Sequence, residues 1–363
     1  MTDKVRPPSL PSRIVVRGTN WVGDTVMSVP AIKKLRRIFP STRITFWVRS
    51  GLADLVTATG VPDEVITFDG NAGGPVQRPF RMRSKLASGK FDMSVLLQNA
   101  FESAFSSWLA GIPLRAGYPT DLRGALLNIK IPLTRQIKSK HQVFYYLAIT
   151  KFLEVYFSDR ENSPEQSPDC SIPVEQENCS RARDLIASRG ARLDRPIVCL
   201  CPGSVNSEAK RWPGENFARL ADLLSDRLGA QVVFLGSPQE KALIEGIMST
   251  VRNPSAVHLV GSDMMTSMAV MKQSELVISN DTGSAHLAVA SSTRVLTIFG
   301  PTNPGATAPY GANTHIIQGN ALCAPCRHFR CPLKDHPCMR SISPEGVLGK
   351  AEEIVSGFPR AKE

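Results

Sequence analysis

A polar turn between two apolar strands is the part of this sequence best suited to chemistry. Leu276, Val277 and Ile278 form a short apolar run of the kind buried in a parallel sheet. Residues 280–284, Asn-Asp-Thr-Gly-Ser, end this run with turn formers and residues that cap helices. The unpaired N–H groups of the next helix start would face the carboxyl edge of the sheet, where α/β proteins bind ligands. The turn therefore predicts a site for a phosphate-bearing ligand.

The residues of this turn differ in what they offer. Thr282 and Ser284 would present N–H and hydroxyl donors to a diphosphate, and Gly283 lets the backbone approach it closely. Asp281 is a poor neighbour for phosphate on charge grounds, so we assign it to sugar hydroxyls or to holding the turn. His286 lies in the first helical turn, where a structural histidine and a ligand contact are both compatible with the sequence.

The elements that must position such a turn alternate as strand, loop and helix in both halves of the chain. This alternation predicts an α/β fold of two Rossmann-like, doubly wound domains with a cleft between facing loop edges. The predicted strands are 13–17, 43–48, 64–68, 93–97, 197–201, 231–235, 256–259 and 276–278, and the predicted helices include 24–39 and 215–229.

The length and one polar stretch indicate two domains. A chain of 363 residues that is 42% hydrophobic exceeds the usual size of a single core. The stretch 158–170 is polar and contains two Ser-Pro steps, which is typical of a linker. We therefore expect a first domain over 1–170 and a second over 171–363.

The positive charge is concentrated in the first half. Residues 1–160 hold 23 Lys and Arg against 11 Asp and Glu, a net charge of +12, whereas the whole chain carries +11. Such a surface suits nucleic acid, anionic lipid headgroups or a phosphorylated acceptor, and a solubilising excess of charge is the alternative. Aromatic residues make up only 7% of the chain and no nucleic-acid-binding motif is present, so an anionic membrane surface is the better partner.

The sequence contains no run of about 18 apolar residues and its start lacks the apolar stretch of a secretory signal. We therefore expect a cytoplasmic protein. Eight cysteines in such a chain indicate reduced thiols or metal ligands before disulfides.

Three blocks carry a family resemblance. They are RGTNWVGDTVMSVPAIKKLRRIFP at 17–40, PGSVNSEAKRWPGENFARLADLL at 202–224 and SNDTGSAHLAVA at 279–290. In this order they resemble glycosyltransferase family 9, the lipopolysaccharide heptosyltransferases. LAGIPLRAGYPTDLRGALL at 109–127 and the Cys-rich tail are most similar to the heptosyltransferase II branch of that family. The resemblance implies a GT-B architecture, an acceptor held by the first domain, ADP-heptose held by the second, and an inverting transfer that requires no metal.

Inverting transfer needs a base that takes the proton of the acceptor hydroxyl, and a carboxylate at the mouth of a strand–loop–helix turn has the reach. Asp24 is so placed and resembles the catalytic base of the family, although it could also simply cap its helix.

The departing diphosphate needs cations or backbone donors, since the sequence has no Asp-x-Asp metal clamp. Lys210 resembles the family lysine that meets the donor phosphates. Ser204 and Asn206 would add hydrogen bonds, Arg211 is a second candidate cation, and by resemblance Asp281 belongs to the donor site.

Further contacts are weaker predictions. For the nucleoside we expect the segment 236–239 and Met264 or Met265. For acceptor phosphate and sugar, a group of polar and basic residues is suited because arginine matches phosphate oxygens; its members are Arg17, Asn20, Trp21, Arg115, Arg123 and His141.

Four cysteines cluster in the tail at Cys323, Cys326, Cys331 and Cys338. The C-x2-C pair with two more cysteines nearby indicates a structural zinc site, a disulfide-labile loop or four unliganded thiols. The family chemistry does not call for a metal here.

The sequence thus predicts an enzyme of the cytoplasmic face of the inner membrane that moves heptose from ADP-heptose to the inner core of lipopolysaccharide. The alternatives are a related transferase with a different acceptor and a non-catalytic nucleotide-binding protein. A nucleotide-dependent oxidoreductase lacks support, because no G-x-G-x-x-G follows the first strand.

Overall fold

The computed structural model describes residues 9–69, 77–158, 167–326 and 328–356. The chain divides into two compact units, Met1–Cys170 and Ser171–Glu363. Most of the predicted linker, residues 159–166, lies outside the described residues. The roles assigned to the two halves stay predictions at this point.

The first unit is a parallel sheet with helices. Its strands are β1 (Arg13–Arg17), β2 (Arg43–Arg49), β3 (Glu64–Phe68), β4 (Met93–Leu96), β5 (Leu114–Gly117) and β6 (Ile129–Lys130). Its helices are α1 (Val22–Ile38), α2 (Ala53–Thr57), α3 (Arg78–Ser88), α4 (Phe101–Leu109), α5 (Arg135–Ser139) and α6 (Gln142–Ser158), with 3-10 turns at Ser50–Leu52 and Arg123–Leu126.

The second unit repeats this plan. Its strands are β7 (Ile197–Cys201), β8 (Gln231–Gly236), β9 (Val257–Val260), β10 (Leu276–Asn280), β11 (Val295–Phe299) and β12 (Thr314–Gln318). Its helices are α7 (Gln176–Ser188), α8 (Gly214–Leu228), α9 (Lys241–Met248), α10 (Met264–Lys272), α11 (Gly283–Ala290), α12 (Pro304–Thr307), α13 (Pro337–Arg340) and α14 (Pro344–Ser356), with 3-10 turns at Glu208–Lys210 and Pro238–Glu240.

Both sheets have the Rossmann strand order. Among the described residues the first runs β3-β2-β1-β4-β5-β6 and the second β12-β11-β10-β7-β8-β9, which is the same order seen from the other side. All the pairs between neighbouring strands are parallel. In each sheet the chain first adds strands toward one edge and then toward the other, starting from the neighbouring pairs β1 and β4 or β7 and β10. Each of these pairs is a switch point, where the loops diverge and a ligand can enter. The predicted α/β fold class is confirmed.

The cores explain why these strands form. β7, β10 and β11 are buried along their whole lengths, as expected of strands covered by helices on both faces. α8 buries Phe217, Leu220 and Leu224 against this sheet and ends at Gly229, whose φ of 62° is the left-handed conformation that glycine adopts without cost.

Two element boundaries differ from the sequence prediction in ways that matter for the sites. α1 begins at Val22 and not at Asp24, which places Asp24 inside the first helical turn. β10 continues through Asn280, so the polar turn begins at Asp281 with its preceding asparagine already fixed in the sheet.

Candidate functional site

The first unit holds a pocket of about 260 Å³ at its switch point. The loop after β1 and the loop after β4 form two of its walls, and the start of α6 forms the third. The lining residues are Thr19, Asn20, Trp21, Asp24, Leu97, Gln98, Asn99, Ala100, Gln142, Tyr145 and Tyr146. A carboxylate, side-chain amides and phenols thus surround one cavity, and such a lining suits a polyhydroxylated ligand.

Asp24 is half-buried in this pocket and is held by a tyrosine from a distant part of the sequence. The hydroxyl of Tyr146 donates a hydrogen bond of 3.0 Å to Oδ1 of Asp24. Burial, and secondarily the charge of Asp24, raises the pKa of Tyr146 well above its ordinary value. The phenol therefore stays protonated and remains a donor, which orients the carboxylate.

Sequence patterns did not identify Tyr146, whose hydroxyl holds the carboxylate of Asp24. It lies in α6 with Tyr145, and no local motif marks either residue. Side-chain Nδ2 of Asn99 donates to the Tyr145 hydroxyl, so the second tyrosine ties α6 to the loop after β4. The available signal was a Tyr-Tyr pair in the sequence of this helix.

Arg123 is fully buried and organises the pocket wall. Its guanidinium donates to the carbonyls of Tyr118 and Gln98, to Oγ of Ser103 and, at 3.0 Å, to Oδ1 of Asn99. Burial lowers the pKa of Arg123 to about 10, so it is still a cation at neutral pH. The placement favours a role in fixing the Gln98–Asn99 loop over direct contact with an acceptor.

The other predicted acceptor residues divide into two groups. Asn20 and Trp21 line the pocket, and Trp21 is half exposed. Arg17 is buried, lies over the rings of Trp47 and Phe68, and donates at 2.8 Å to Oδ1 of Asn20, so it positions Asn20 from behind.

Arg115 and His141 are not among the residues that line the pocket. Arg115 donates to the carbonyls of Leu126 and Ile112, both at 2.6 Å. The Nδ1 atom of His141 accepts from the backbone N–H of Val143 at the start of α6. Both side chains hold local backbone in this structure.

The second unit joins its two switch-point loops through an ion pair. Nζ of Lys210 lies 2.7 Å from Oδ2 of Asp281 and donates to the carbonyl of Asp281 at 3.2 Å. Asp281 is buried and also accepts from Oγ1 of Thr302 at 2.7 Å. The lysine neutralises the carboxylate that would otherwise repel a phosphate at this turn.

Asn280 fixes the two loops relative to each other. Its Oδ1 accepts from the backbone N–H of Trp212, and its Nδ2 donates to the carbonyls of Pro202 and Gly203. The loop after β7 is therefore anchored to the end of β10, and Lys210 is carried to Asp281 by a rigid connection.

The remaining residues that the sequence predicts to bind the sugar donor differ in burial. Thr282, Gly283 and Ser284 lie half-buried at the N-terminus of α11, as expected, and His286 is buried one turn further on. Ser204 is buried, and its carbonyl accepts two hydrogen bonds from Arg211. Arg211 thus holds the loop, whereas Asn206 is exposed. Met264 and Met265 are half-buried at the start of α10.

A buried carboxylate that the sequence did not reveal lies at the same edge. Oε2 of Glu240 accepts from the backbone N–H and the hydroxyl of Ser237, just after β8. A Cβ on Gly203 would lie 1.7 Å from Oε1 of Glu240, so glycine lets the loop after β7 pass close to this carboxylate in its present position. Glu240 therefore lies against both loops that end the central strands β7 and β8.

For the Cys-rich tail the sequence left open a structural zinc site, a disulfide-labile loop and four unliganded thiols. The described residues contain no group of three or more His, Cys, Asp or Glu side chains placed to hold a metal ion, and its four cysteines are free thiols. The predicted zinc site is not confirmed. Burial raises the pKa of Cys338, and the other three cysteines raise it further, so the four lie in one neighbourhood.

Within the described ranges, no helix is both long and apolar enough to cross a membrane.

Comparison with known proteins decides the family. A model of glycosyltransferase family 9 (heptosyltransferase) matches residues 79–336, which is more than half of the chain. The chain belongs to glycosyltransferase family 9. It is therefore a glycosyltransferase, and the family resemblance of the three sequence blocks is confirmed.

Relatives in this family match the chain over nearly its full length. Lipooligosaccharide heptosyltransferase 2 of Haemophilus ducreyi is 26% identical over 95% of this chain and 99% of its own. Lipopolysaccharide heptosyltransferase 2 of Escherichia coli is 24% identical over 94% and 98%. The solved structure of E. coli ADP-heptose LPS heptosyltransferase II superposes with a TM-score of 0.80 at 23% identity, covering 95% of this chain and 99% of that one, which supports the fold.

Proposed function

We propose that this member of family 9 transfers heptose from ADP-heptose to a heptose of the lipopolysaccharide inner core, with inversion at the transferred carbon. The observation that carries the proposal is the match to heptosyltransferase 2 of H. ducreyi over 95% of the chain. The first unit would bind the acceptor and the second the donor.

Asp24 is the proposed general base. Its carboxylate lies in a pocket lined by amides and phenols. The hydroxyl of Tyr146 donates to one carboxylate oxygen and thereby orients the group. The acceptor hydroxyl gives its proton to Asp24 as its oxygen attacks the anomeric carbon of the donor, and the bond to the ADP oxygen breaks on the opposite face. Asn20, Trp21 and Asn99 would contact the acceptor sugar.

Lys210 and the N-terminus of α11 are proposed to meet the charge on the departing diphosphate. An ammonium has three donors and Asp281 takes two of them, so the third is directed to the phosphate in this proposal. The N–H groups of Gly283 and Ser284 add the positive end of a helix dipole. This arrangement is proposed to work without a divalent cation.

Glu240 is proposed to accept from the ribose hydroxyls of the donor. It is a buried carboxylate at the ends of β7 and β8, the position at which an acidic residue of a Rossmann-like domain can meet a ribose. Arg17 and Arg123 act as positioning residues behind the acceptor pocket. The acceptor is membrane-linked, and we propose that the protein works at the cytoplasmic surface of the inner membrane.

The test is a transfer assay with purified protein, ADP-heptose and a heptose-bearing inner-core acceptor, read by mass spectrometry of the product. We expect one added heptose, with equal rates in EDTA and in Mg²⁺. Absence of any extended acceptor would refute the acceptor assignment, and a rate abolished by EDTA would refute the metal-independent step.

A further inference from the structure

Helix α4 of the first unit buries small and polar residues and exposes aromatic ones. Its inner face consists of small residues, Ser103, Ala104, Ser106 and Ser107, all buried. Its outer face carries Phe101, Phe105 and Trp108, which follow the i, i+4, i+7 spacing of one helix face. A helix that faces water normally shows the opposite arrangement, with apolar residues inside and polar residues outside.

The buried serines account for the inner face. Ser103 donates to the carbonyl of Ala100, Ser106 to that of Glu102 and Ser107 to that of Ser103, so each hydroxyl is satisfied within its own helix. Satisfied hydroxyls allow polar residues to pack in the interior. The aromatic residues are consequently not needed inside and project outward.

These aromatic residues form one continuous surface with α3. The ring of Phe105 lies 6.1 Å from that of Phe80, 5.7 Å from that of Phe101 and 5.8 Å from that of Trp108. Phe80 is 58% exposed, Phe101 46% and Trp108 50%. We name these four residues the aromatic face.

Positive charge accompanies the aromatic face. On α3, Met82 and Leu86 are buried whereas Arg81, Arg83 and Lys85 are exposed, and the helix contains no acidic residue. Half-exposed aromatic rings beside cationic side chains match the boundary between the headgroups and acyl chains of an anionic bilayer. A twofold contact with a second copy would instead bring like-charged α3 helices together.

The aromatic face begins one residue after the wall of the Asp24 pocket. Phe101 directly follows Ala100, which lines the cavity that contains Asp24. A bilayer in contact with the aromatic face would therefore lie at the edge of this pocket, with its headgroup layer beside the proposed base.

We propose that the aromatic face and the three exposed cations of α3 dock the enzyme on an anionic membrane surface and present a lipid-anchored sugar to the Asp24 pocket. The presentation of the sugar rests on the proposed function; the docking does not.

The first experiment measures binding to vesicles by sedimentation, with phosphatidylcholine alone or mixed equally with phosphatidylglycerol. Phe80→Ser/Trp108→Ser should lower the partition coefficient on mixed vesicles by about tenfold for each ring. Arg81→Gln/Arg83→Gln should lower it about fivefold per charge on mixed vesicles, with little effect on phosphatidylcholine alone.

Two matched controls should bind as the parent does. Leu333→Ser removes another half-exposed apolar side chain, and Arg183→Gln/Arg189→Gln removes two exposed cations of the second unit. Parent-like binding by both test variants would overturn the proposal. So would a test variant whose mass in sedimentation velocity shows that a parent dimer has been lost, since a second copy would then cover the face.

The last measurement separates this inference from the proposed function. Phe80→Ser/Trp108→Ser should transfer heptose to a deacylated, water-soluble acceptor at the parent rate, and at least tenfold more slowly to the acylated acceptor in mixed vesicles. Equal loss on both acceptors would overturn the docking role. A parent protein that binds vesicles but extends neither acceptor would refute the proposed function and leave docking supported.

Discussion

The two units have the same strand order, and each has an aspartate at its switch point, Asp24 after the first strand of one unit and Asp281 after the fourth strand of the other, yet the two carboxylates have different partners. Asp24 of the first unit is held by a neutral phenol, whereas Asp281 of the second is paired with a lysine at 2.7 Å. A phenol orients a carboxylate and leaves its negative charge in place, so that it can accept a proton. A lysine cancels the charge, so that the same edge of the sheet can receive an anion.

The buried cations show the same contrast. Arg123 of the first unit is fully buried and spends its donors on protein groups, whereas Lys210 of the second retains partial exposure at the end of its loop. The first switch point thus holds a carboxylate paired with a neutral phenol, and the second holds a carboxylate paired with a cation. The same topology therefore supports different electrostatics, because loop residues and not strands determine the charge at each switch point.

The largest expected effect tests whether Asp24 is the general base, on which the contrast between the two aspartates depends. Asp24→Asn keeps the shape and still accepts from Tyr146 but cannot take a proton, so kcat should fall by roughly 10²–10⁴-fold. ADP binding in calorimetry should be unchanged, since the proposed donor site lies in the other unit.

Asp54→Asn is the matched control, since Asp54 is an exposed acid in the first turn of α2. It should keep parent kcat. An Asp24→Asn protein with parent kcat would leave Asp24 a helix-capping residue only.

The next largest effect tests whether Arg123 is scaffolding. Arg123→Met removes donors to Tyr118, Gln98, Ser103 and Asn99 and leaves buried carbonyls unpaired. We expect the free energy of unfolding to fall by about 3 kcal/mol in urea denaturation.

Arg135→Met, which removes an exposed arginine of α5, should change the unfolding free energy by less than about 0.5 kcal/mol. If Arg123→Met unfolds at the parent urea midpoint and instead raises KM for the acceptor, then Arg123 contacts the acceptor as the sequence predicted.

Lys210→Ala tests the ion pair between Lys210 and Asp281 at the second switch point. It removes a phosphate partner and leaves the buried Asp281 carboxylate without its cation, so ADP should bind more weakly by roughly 1–3 kcal/mol in isothermal titration calorimetry. Lys241→Ala, which removes an exposed lysine of α9, should bind ADP as the parent does. An unchanged ADP affinity in Lys210→Ala would place the diphosphate away from this ion pair.

Local sequence patterns predicted many elements of the fold. β1 and β7 have the bounds that their apolar runs predict, because a strand buried on both faces is a continuous apolar segment in the sequence. β3 also has its predicted bounds, although much of it is exposed. The polar turn after β10 was found in the same way, since turn formers and helix-capping residues are adjacent in the sequence.

Contacts between residues that are distant in the sequence were not predictable. Tyr146 reaches Asp24 over 122 positions in the chain, and nothing near Tyr146 indicates that partner. Arg17 and Arg123 are predicted from the sequence to bind an acceptor because arginine suits phosphate, but the sequence does not show that both side chains are buried, since burial depends on the tertiary fold. Glu240 was missed because nothing near it in the sequence indicates that its carboxylate packs against Gly203, which lies on another loop.

Tyr146→Phe gives the smallest expected effect and sharpens the comparison most. The phenol donates to the Asp24 carboxylate and thereby favours its charged form, so removing the donor lets protonation occur at a higher pH. The acid limb of the kcat/KM profile should move upward, with a loss of about tenfold or less at neutral pH. Because the pKa of Tyr146 is raised well above its ordinary value, the phenol stays neutral in alkali and its removal should leave the alkaline limb unchanged.

Tyr156→Phe, a second tyrosine of α6, should keep the parent profile. A Tyr146→Phe protein whose acid limb stays in place while its rate falls would show that Tyr146 fixes the position of Asp24 and not its charge. The phenol and the lysine would then differ in their own charge and not in what they do to the carboxylate, because each would serve to hold it in one orientation.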